Sequence, residues 1–456
     1  MTTSAIVTNQ DASAGALTPD LMSRLQGGLD TPVFRIAQNA VTQVTADDVA
    51  LNRNIVFHTD HSFSHVLDDW SATNQKSSGR CWMFAGLNLL RVGAMNKMGL
   101  KSFEFSQNYT MFCDKIERAN YVLEAVIETA DRDVDDRTIS YVLARPISDG
   151  GQWNMFVNLV RKHGLVPKPF MPETQSSSAS ARMNSVLASK IREAAHDLRD
   201  LFRKGATTED LRAEKERALE AIFRILCIHL GTPPQRFAWQ WTDKDKAFHR
   251  DAEVTPQQFA GAYIDIPLDD YVCLVNDPRP TSPTGRTFTV EYLGNVVEGG
   301  IVKYLNVDVA LMKDLARRSI VDKGEPVWFG CDTGKMSRRD LGIWDKNLYD
   351  YGSLYETEFP LDKASRLYYH ETQMTHAMMF TGVDIEGERV TRWRVENSWG
   401  EEPGRKGFFV MNDNWFDEYV FEIAARRSEL PAELQAALEL PPIVLPAWDP
   451  MGALAR

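Results

Sequence analysis

The chain has 456 residues, a formal net charge of −12 at pH 7, a sequence pI near 5.4 and 43% hydrophobic residues. A chain of this length suits a globular protein of two or three lobes with a sizeable core. The acidic balance disfavours a general nucleic-acid binder, whose footprint is a basic patch, and no apolar run approaches the roughly 20 residues that span a bilayer. We therefore expect neither a membrane nor a nucleic-acid partner.

The first 70 residues are polar and mixed, and we expect them to wrap around the core. Thr18, followed by Pro19 and Asp20, is a typical helix start. The first twenty residues lack a basic segment followed by an apolar one, so no signal peptide is predicted. His61 and His65 would share a helix face, as metal ligands can, but no matching acidic partner follows them. We predict packed or solvated histidines here and no metal site.

The segment at residues 74–84, NQKSSGRCWMF, carries the clearest chemical signal. Cysteine is a strong nucleophile only as the thiolate, so a catalytic cysteine needs a feature that lowers its pKa. An apolar helical run that opens at Cys81 would place the sulfur at the positive end of the helix dipole. Attack on a carbonyl also needs fixed donors for the oxyanion, which the Cys81 backbone N–H and the Gln75 side chain would supply.

Helical patterns continue through residues 111–143, and a loop with the sequence DGGQW follows at residues 149–153. Residues 183–203 and 209–230 show two further helical patterns, the second with apolar residues on one face. Short strand-like segments follow at residues 236–241, 271–275 and 288–292. The sequence GCDTGKMS, at residues 330–337, lacks the spacing of a phosphate loop, and we predict no nucleotide or other cofactor.

The second half of the chain predicts a helix at residues 309–321, a strand at 326–331 and then short alternating strands. His376 lies in the apolar run MTHAMMF, which is typical of a buried strand, and Asn397 lies where a second such run ends, in RWRVENSWGE. A histidine can take the thiol proton and hold the resulting ion pair. An asparagine oxygen can accept the other ring N–H and fix the tautomer. This is the logic of the serine triad with different atoms.

These motifs resemble the papain superfamily of cysteine peptidases, and within it the branch of bleomycin hydrolase and bacterial aminopeptidase C. The papain signature has a cysteine where this chain has Ser78, and its histidine lies about 130 to 150 residues after the nucleophile rather than about 300. The longer gap is that of the bleomycin hydrolase branch, which carries a large insertion. The resemblance implies an α+β fold with a two-lobed papain-like core, made of a helical lobe and an antiparallel β lobe, and a large, mainly helical insertion.

The resemblance also implies roles for residues near the nucleophile and its base. Gly150, Gly151 and Gln152 would lie along the cleft and bind substrate, because glycine lets two backbones approach closely. Trp399 would shield the imidazole and its asparagine from water. The alternative interpretations are a simple turn at the double-glycine loop and an ordinary core position for the tryptophan.

The last residues decide which kind of peptidase the resemblance implies. Prolines between residues 441 and 446 favour an extended backbone. In the resembled family this arm enters the cleft, blocks its non-primed side and offers its terminal carboxylate to the free amino group of the substrate. Trimming of Arg456 would make Ala455 the terminal, substrate-binding residue. The alternative is a disordered tail.

Ser78 and Ser148 occupy the two positions that form a disulfide in secreted papain-like enzymes. Because disulfides persist in oxidising compartments, their joint replacement predicts a cytoplasmic protein. The four cysteines other than Cys81 have no metal-ligand spacing and are expected to be reduced core residues. In the family the insertion builds a hexameric barrel, so the resemblance implies a homohexamer.

Five segments are predicted: an N-terminal wrapping segment (1–70), the helical lobe with the nucleophile (71–166), an insertion for oligomerisation (167–308), the β lobe with histidine and asparagine (309–430) and the C-terminal arm (431–456). The predicted function is that of an intracellular cysteine aminopeptidase of broad specificity acting on peptides, with bleomycin-like amides as further substrates. Two alternatives stay open: a papain-like endopeptidase without control by the tail, and a noncatalytic oligomeric binding protein.

Overall fold

The computed structural model describes residues 15–29, 31–67 and 70–454, which divide into two compact units. One unit comprises the residues up to Ile55 together with 347–360, and the other comprises the rest. The α-helices of the described residues are α1 (Pro19–Gly27), α2 (Pro32–Val41), α3 (Ala46–Ala50), α4 (Arg53–His58), α5 (Cys81–Met98), α6 (Gln107–Glu128), α7 (Arg137–Ala144), α8 (Trp153–His163), α9 (Gln175–Ser178), α10 (Ala181–Arg203), α11 (Thr208–Leu230), α12 (Pro256–Tyr263), α13 (Val309–Lys323), α14 (Tyr351–Tyr355), α15 (Lys363–Tyr368), α16 (Asp413–Tyr419) and α17 (Ala432–Ala437). The strands are β1 (His65–Val66), β2 (Phe237–Thr242), β3 (Phe248–Val254), β4 (Tyr271–Val275), β5 (Thr287–Val290), β6 (Tyr304–Asn306), β7 (Val327–Cys331), β8 (Ser337–Arg338), β9 (Ile343–Trp344), β10 (His376–Glu386), β11 (Arg389–Glu396), β12 (Phe408–Asn412), β13 (Val420–Arg426) and β14 (Ile443–Leu445).

The smaller unit contains α1, α2, α3 and α14. The side-chain oxygens of Thr18, Thr31 and Thr45 each accept a backbone N–H of the helix that follows, which confirms the helix start predicted at Thr18. The Tyr351 hydroxyl donates to the Asp47 carboxylate at 2.6 Å and ties α14 to α3. Several large apolar side chains of this unit are exposed: Leu17, Met22, Leu25, Leu29, Val33, Ile36 and Val44.

The larger unit is built on one sheet of twelve strands in the described part of the chain. Its order is β14-β5-β6-β4-β13-β7-β10-β11-β12-β9-β8, and β1 also pairs with β10. In the central run β4-β13-β7-β10-β11-β12, every pair of neighbouring strands is antiparallel, as predicted. The pairs β4–β6, β5–β14 and β9–β12 are parallel. Strands β4, β5 and β6 come from the segment predicted as an insertion. The sheet thus includes strands on both sides of residue 309, and the division into lobes stays a prediction.

Strands β7 and β10 are buried on both faces, which explains their continuous apolar sequences. Trp328 of β7 packs into the core cluster that contains α5, whereas its neighbour Phe329 packs into the cluster that contains α13. Met379 and Phe380 of β10 alternate in the same way. A strand between two cores needs apolar residues at every position, so the period-two alternation of a half-exposed strand is absent here.

Helix α5 lies at the centre of the first core cluster. Fifteen of its 18 residues are buried, so apolar residues surround the helix instead of forming one stripe. The helix packs against β7, β10 and α8. A Cβ atom at Gly86 would lie 2.6 Å from the ring of Phe156, so glycine permits the close approach of α8. The helix ends at Gly99, whose φ of 63° gives the left-handed cap.

Helices α10 and α11 form the predicted helix hairpin and pack against α6. Thr207 and Asp210 form a capping box at the start of α11, which fixes the short turn between the two helices. Strands β2 and β3 form a separate antiparallel pair. Within the described residues, no helix combines the length and the apolar character needed to cross a membrane.

Glu422 is a buried carboxyl group on β13, in the middle of the sheet. Its Oε1 atom has no hydrogen-bond partner among the described residues, and the titratable groups facing it are Cys273 and Tyr304. Burial raises the pKa of Glu422 from 4.5 to about 8. The folded protein therefore retains a proton that the unfolded chain releases. The stability that this group contributes is complete below pH 4.5 and is lost as the pH rises through about 8.

We expect Glu422→Gln, which mimics the protonated acid, to raise the melting temperature near pH 9 by a few degrees and to change it little near pH 5. Thermal unfolding of both proteins across this pH range is the measurement. Glu433→Gln, at an exposed carboxylate, is the matched control and should follow the wild type. Parallel pH profiles for wild type and Glu422→Gln would contradict the assignment.

Candidate active site

Cys81 is the first residue of α5, as predicted, and its side chain is fully buried. The preceding residue, Arg80, fixes the helix entrance through two hydrogen bonds, of 3.0 and 2.7 Å, to the Glu173 carboxylate. Backbone N–H groups of Ala377 and Trp82 lie close enough to the Cys81 sulfur to lower the pKa of the thiol. The influence of Ala377 places the sulfur near the start of β10.

Burial dominates the acidity of the Cys81 thiol and raises its pKa to about 12. The helix start therefore acts in the predicted direction but does not alone make the thiol acidic. Backbone N–H groups do lower the pKa, but the loss of hydration raises it by more. A lone thiol with this pKa would be ionised in only about one molecule in 10⁵ at pH 7. A thiolate in this site needs a partner that takes the proton directly.

His376 is the first residue of β10, and Asn397 directly follows β11. The imidazole Nε2 lies 2.9 Å from Asn397 Oδ1. This bond makes Nε2 the protonated ring nitrogen and leaves Nδ1 as the nitrogen that can accept a proton. Burial lowers the pKa of His376 to about 4, and the bond to Asn397 acts in the opposite direction. Cys331, opposite His376 in the β7–β10 ladder, is close enough to Cys81 for the two thiols to influence each other electrostatically, so Cys81 lies near the end of these strands where His376 stands. The contact between nucleophile and base stays a prediction.

Trp399 lies beside the imidazole, with ring centroids 5.1 Å apart. The guanidinium of Arg339 lies 4.7 Å from the centroid of the indole on Trp399. Asn397 is 1% exposed, and its Oδ1 accepts a second bond, of 2.8 Å, from the Ser398 backbone N–H. The Trp399 indole thus lies where it could shield the His376 and Asn397 side chains from water. That role stays a prediction.

Gln75 is buried in the loop before α5 and is tied to the segment after Asn397. Its backbone N–H donates to the Ser398 carbonyl oxygen at 2.8 Å, and its Oε1 accepts from the Ser398 hydroxyl at 2.6 Å. Its Nε2 donates to the Ser78 carbonyl oxygen at 2.5 Å. Because a primary amide carries two N–H groups, a second one remains for an oxyanion. The oxyanion role of Gln75 stays a prediction that this geometry permits.

The loop that carries Gly150 and Gly151 packs against Trp82. A Cβ atom at Gly151 would lie 2.4 Å from the indole, so a larger residue does not fit. The indole N–H donates to the Asp149 carbonyl oxygen at 2.6 Å, and Arg118 donates to the Gly150 carbonyl oxygen at 2.6 Å. The second glycine therefore has a packing reason that the sequence does not reveal. The substrate contacts predicted for both glycines stay predictions.

Gln152 contacts the C-terminal arm. Its Nε2 donates to the Ala453 carbonyl oxygen at 2.7 Å, and the residue is fully buried. The arm reaches this point through β14, which pairs with β5, and through a 3₁₀ turn at Pro450–Gly452. The predicted terminal contact at Ala455, and the trimming predicted at Arg456, lie outside the described residues.

A cavity of about 660 Å³ lies beside the arm. Helices α6, α7 and α10 contribute to its walls, together with residues 290–294, 370–375 and 447–454. His376 directly follows one of these segments. The lining combines apolar side chains with polar ones, which include Arg118, Tyr121, Tyr141, Arg145, Glu291 and Tyr292. A lining of this kind offers contacts to both apolar and polar side chains.

Asp149 holds the double-glycine loop, and no pattern in the sequence singles it out. It accepts from Lys115 Nζ at 2.6 Å, from Asn184 Nδ2 at 2.7 Å and from the Gly79 backbone N–H at 3.0 Å, and the Ser180 hydroxyl also donates to it. Burial acts to raise the pKa of Asp149, but Lys115 and the other donors hold it well below its usual range. One carboxylate thus fixes both the loop before α5 and the loop with the glycines.

Glu396, next to Asn397, is a second residue that the sequence does not single out. It is buried, and it accepts from Asn88 Nδ2 at 2.9 Å, from Arg91 Nη2 at 2.8 Å and from the Trp70 indole N–H. Burial raises the pKa of Glu396, and Arg91 opposes the rise. This network ties α5 to the end of β11 and so orients Asn397. The signal that could have revealed Glu396 in the sequence is a carboxylate at the end of the strand-like run RWRVEN.

The motifs set aside as metal or nucleotide sites have other environments. Lys335, in the sequence GCDTGKMS, forms an ion pair with Glu371 at 2.6 Å. In residues 15–29, 31–67 and 70–454, no three metal-ligating side chains come close enough to hold an ion.

The chain belongs to the Peptidase C1-like family, whose model matches residues 17–452. The fold is accordingly the papain-like α+β fold, as predicted. The match includes the elements that carry Cys81, His376 and Asn397.

Individual relatives cover nearly the whole chain. Bleomycin hydrolase of Homo sapiens is 43% identical over 455 residues, which cover 98% of this chain and 100% of the relative. Aminopeptidase C of Lactobacillus delbrueckii subsp. lactis is 41% identical over 427 residues, which cover 93% of this chain and 95% of the relative. The crystal structure of PepW from Lactobacillus rhamnosis HN001 superposes with a TM-score of 0.95 at 44% identity and covers 97% of this chain and 100% of its own.

The acidities of Cys81 and His376 predict how the site reacts with an alkylating agent. We expect iodoacetamide to label Cys81 near pH 7, and His376→Ala to slow this labelling at least 100-fold, because the lone thiol is almost entirely protonated. Peptide mass mapping against time measures the rate. His196→Ala, at an exposed histidine on α10, is the matched control and should label at the wild-type rate. Equal labelling rates in His376→Ala and wild type would contradict the pairing.

Proposed function

We propose that this protein is a cysteine aminopeptidase that removes N-terminal residues from peptides and tolerates many side chains. The observation that carries the proposal is the C-terminal arm, held at Ala453 by Gln152 beside a cavity whose lining includes Thr375, the residue before His376. Relatives named aminopeptidase C and bleomycin hydrolase support it. The proposal includes bleomycin-like amides as substrates, since the same attack on an amide carbonyl would cleave them.

In the proposed reaction, the Cys81 sulfur attacks the carbonyl carbon of the first peptide bond while its proton passes to Nδ1 of His376. The oxyanion accepts hydrogen bonds from the Cys81 backbone N–H and from Gln75 Nε2. When the intermediate collapses, His376 gives its proton to the leaving nitrogen, the C–N bond breaks and a thioester remains. Water, deprotonated by His376, then attacks the thioester, releases the amino acid and regenerates the thiol.

Burial makes the two groups depend on each other. With a pKa of about 12 for Cys81 and about 4 for His376, neither side chain ionises alone near neutral pH. Transfer of one proton creates both charges together in a dry site, where their attraction offsets part of the lost hydration. In the proposed site, Asn397 holds the imidazole through Nε2 and leaves Nδ1 to take the thiol proton, and Trp399 limits the access of water. The proposed ion pair thus forms as a unit.

The arm is proposed to select the amino terminus of the substrate. The arm is anchored at Ala453, and we assign the binding of the substrate's amino group to a terminal carboxylate on the segment beyond this anchor. We place this carboxylate opposite the substrate's ammonium group, where a charge-assisted hydrogen bond in a partly dry cleft favours a free amino terminus. The same segment would occupy the space that residues preceding the scissile bond need in an endopeptidase.

We propose a cytoplasmic location because the cysteines form no disulfides. All five are free thiols. The Ser78 hydroxyl donates to the Gln75 carbonyl oxygen at 2.6 Å, so this position is used for a hydrogen bond instead of a disulfide. A chain without disulfides suits a reducing compartment. The five predicted segments, with boundaries at residues 70, 166, 308 and 430, are kept as the proposed division of the chain.

Two rival functions are less well supported. An endopeptidase needs a cleft that is open on both sides, whereas residues 447–454 form one wall of this cavity. A noncatalytic binding protein has no need for a buried imidazole with a fixed tautomer beside a buried thiol. The net charge of −12 also disfavours nucleic acid as a ligand.

We expect a peptide with a free N-terminus to be cleaved with a kcat/KM at least about 100-fold higher than its N-acetylated form, because acetylation removes the ammonium group. Chromatography with mass detection should show the release of single N-terminal residues. Cys81→Ala should abolish both reactions, and Cys227→Ala, at a partly exposed thiol, is the matched control with wild-type rates. Equal cleavage of the two peptides would refute the aminopeptidase proposal.

We also propose that the protein is a homohexamer, because the smaller unit exposes large apolar side chains that a subunit contact would cover. Sedimentation equilibrium should give about six times the mass of one chain. The double variant Ile36→Glu with Val33→Glu places two charges on this apolar surface and should shift the mass towards that of smaller species. Arg389→Glu, at an exposed side chain of β11 outside both the smaller unit and the insertion, is the control. A wild-type mass of one chain would refute the hexamer.

A further inference from the structure

Three side chains hold the last described stretch of the arm through hydrogen bonds, and Arg137 also lies over the Trp448 ring, 3.8 Å from its centroid. The Ala453 carbonyl oxygen accepts from Gln152, the Met451 carbonyl oxygen accepts from the Tyr304 hydroxyl at 3.2 Å, and the Asp449 carboxylate accepts from Arg279. The first two are single neutral hydrogen bonds. The third is a two-point ion pair, with Nη1 at 3.1 Å from Oδ2 and Nη2 at 2.9 Å from Oδ1. Charge-assisted, bidentate pairs are the strongest and the most directional of these contacts.

Arg279 is held in place by contacts that do not involve the arm. It is 6% exposed, and it donates from Nε and Nη2 to the Asp277 carboxylate at 2.9 and 2.8 Å. Asp277 in turn accepts from the Ser282 hydroxyl at 2.6 Å. Among the described residues, Asp277 makes no direct hydrogen bond to the arm. A planar guanidinium with one edge fixed presents its other edge in one orientation. The loop after β4 thus offers the arm a rigid, positively charged docking point.

Asp449 transmits this position to the end of the chain. Its Oδ1 also accepts the Met451 backbone N–H at 2.9 Å, and its carbonyl oxygen accepts the Gly452 N–H at 2.8 Å. These bonds form the 3₁₀ turn at Pro450–Gly452, which leads directly to Ala453. A Cβ atom at Gly452 would lie 2.9 Å from Val290, so the turn sits tightly against the end of β5. One short turn therefore connects the ion pair to the residue bound by Gln152.

We propose that Arg279 and Asp449 are positioning residues that set how far the arm reaches into the cleft. This reach in turn limits each cleavage to a single N-terminal residue. This inference rests on the proposed aminopeptidase function. Neither side chain needs to touch the substrate or the reacting atoms. When the ion pair is absent, the terminal residues shift, the carboxylate no longer meets the substrate's ammonium group at a fixed distance, and longer N-terminal fragments fit into the cavity.

Asp449→Ser separates this positioning role from the local turn. Serine still caps a helical turn through its hydroxyl, so the Pro450–Gly452 turn is retained, but its side chain is too short to reach Arg279. Arg279 itself stays unchanged, because its removal would leave Asp277 buried without its partner. Glu439→Gln is the matched control, since Glu439 pairs with Arg427 near the base of the arm and both side chains are exposed.

The experiment compares free and N-acetylated forms of one peptide and identifies the products by mass. For Asp449→Ser we expect the ratio of the two kcat/KM values to fall at least about tenfold, mainly through a higher KM for the free peptide, and dipeptides to appear among the products. Labelling of Cys81 by iodoacetamide should stay within about twofold of wild type. Glu439→Gln should keep both the ratio and the products.

Two outcomes would overturn the inference. One is a fall of less than about tenfold in the ratio of the two kcat/KM values, with no dipeptides among the products. The other is loss of both activities with unchanged labelling of Cys81. If the serine variant does not fold, Asp449→Asn, which keeps the shape and the cap but removes the charge, is judged by the same criteria. A failure of the aminopeptidase proposal is distinguishable, since the wild type would then already cleave the acetylated peptide.

Discussion

The contact between the first turn of α5 and the start of β10 is the interaction on which the rest of the site depends. The backbone N–H of Ala377 lies close enough to the Cys81 sulfur to lower the pKa of the thiol, and Ala377 follows His376 along the strand. Since a backbone group makes this contact, it depends on the packing of the helix on the sheet and not on a side-chain rotamer. The burial of nearly the whole of α5 and of β10 on both faces keeps that packing fixed.

The dry surroundings of this contact have an energetic consequence. Asp149 and Glu396 are buried acids close to the site, and each is compensated by several donors, among them Lys115 and Arg91. Buried ion pairs of this type add little net stability, but the removal of one partner is costly, so they hold the loops in one arrangement. Among the described residues, the thiol and the imidazole have no charged partner that favours their ionisation, and the charge of Asp149 disfavours that of Cys81. Their pKa values therefore move away from neutrality, which is why we propose that one proton transfer between them creates both charges together.

The sequence predicts the parts of this structure that depend on local patterns. The helix that opens at Cys81, the α10–α11 hairpin and the buried strands β7 and β10 follow from apolar periodicity and continuous apolar runs. Contacts between distant residues leave no such pattern. The indole of Trp82 that requires glycine at 151 is one example. The strands β4 to β6 that join the sheet from a segment predicted as an insertion are another. The acidity of Cys81 depends on total burial, which a helix start alone does not reveal.

The arm illustrates how a few contacts can suffice when the ligand belongs to the same chain. A separate peptide bound in this cleft would lose its translational and rotational freedom, at a cost of several kcal/mol. The arm has already lost most of that freedom, because β14 is paired with β5 and the chain is tethered there. Each further contact, from Asp449 to Ala453, orders only one or two residues. The same tether limits how far the segment beyond it can travel. In the proposed site, the position of the last anchor would therefore decide how much of the cleft stays open to substrate.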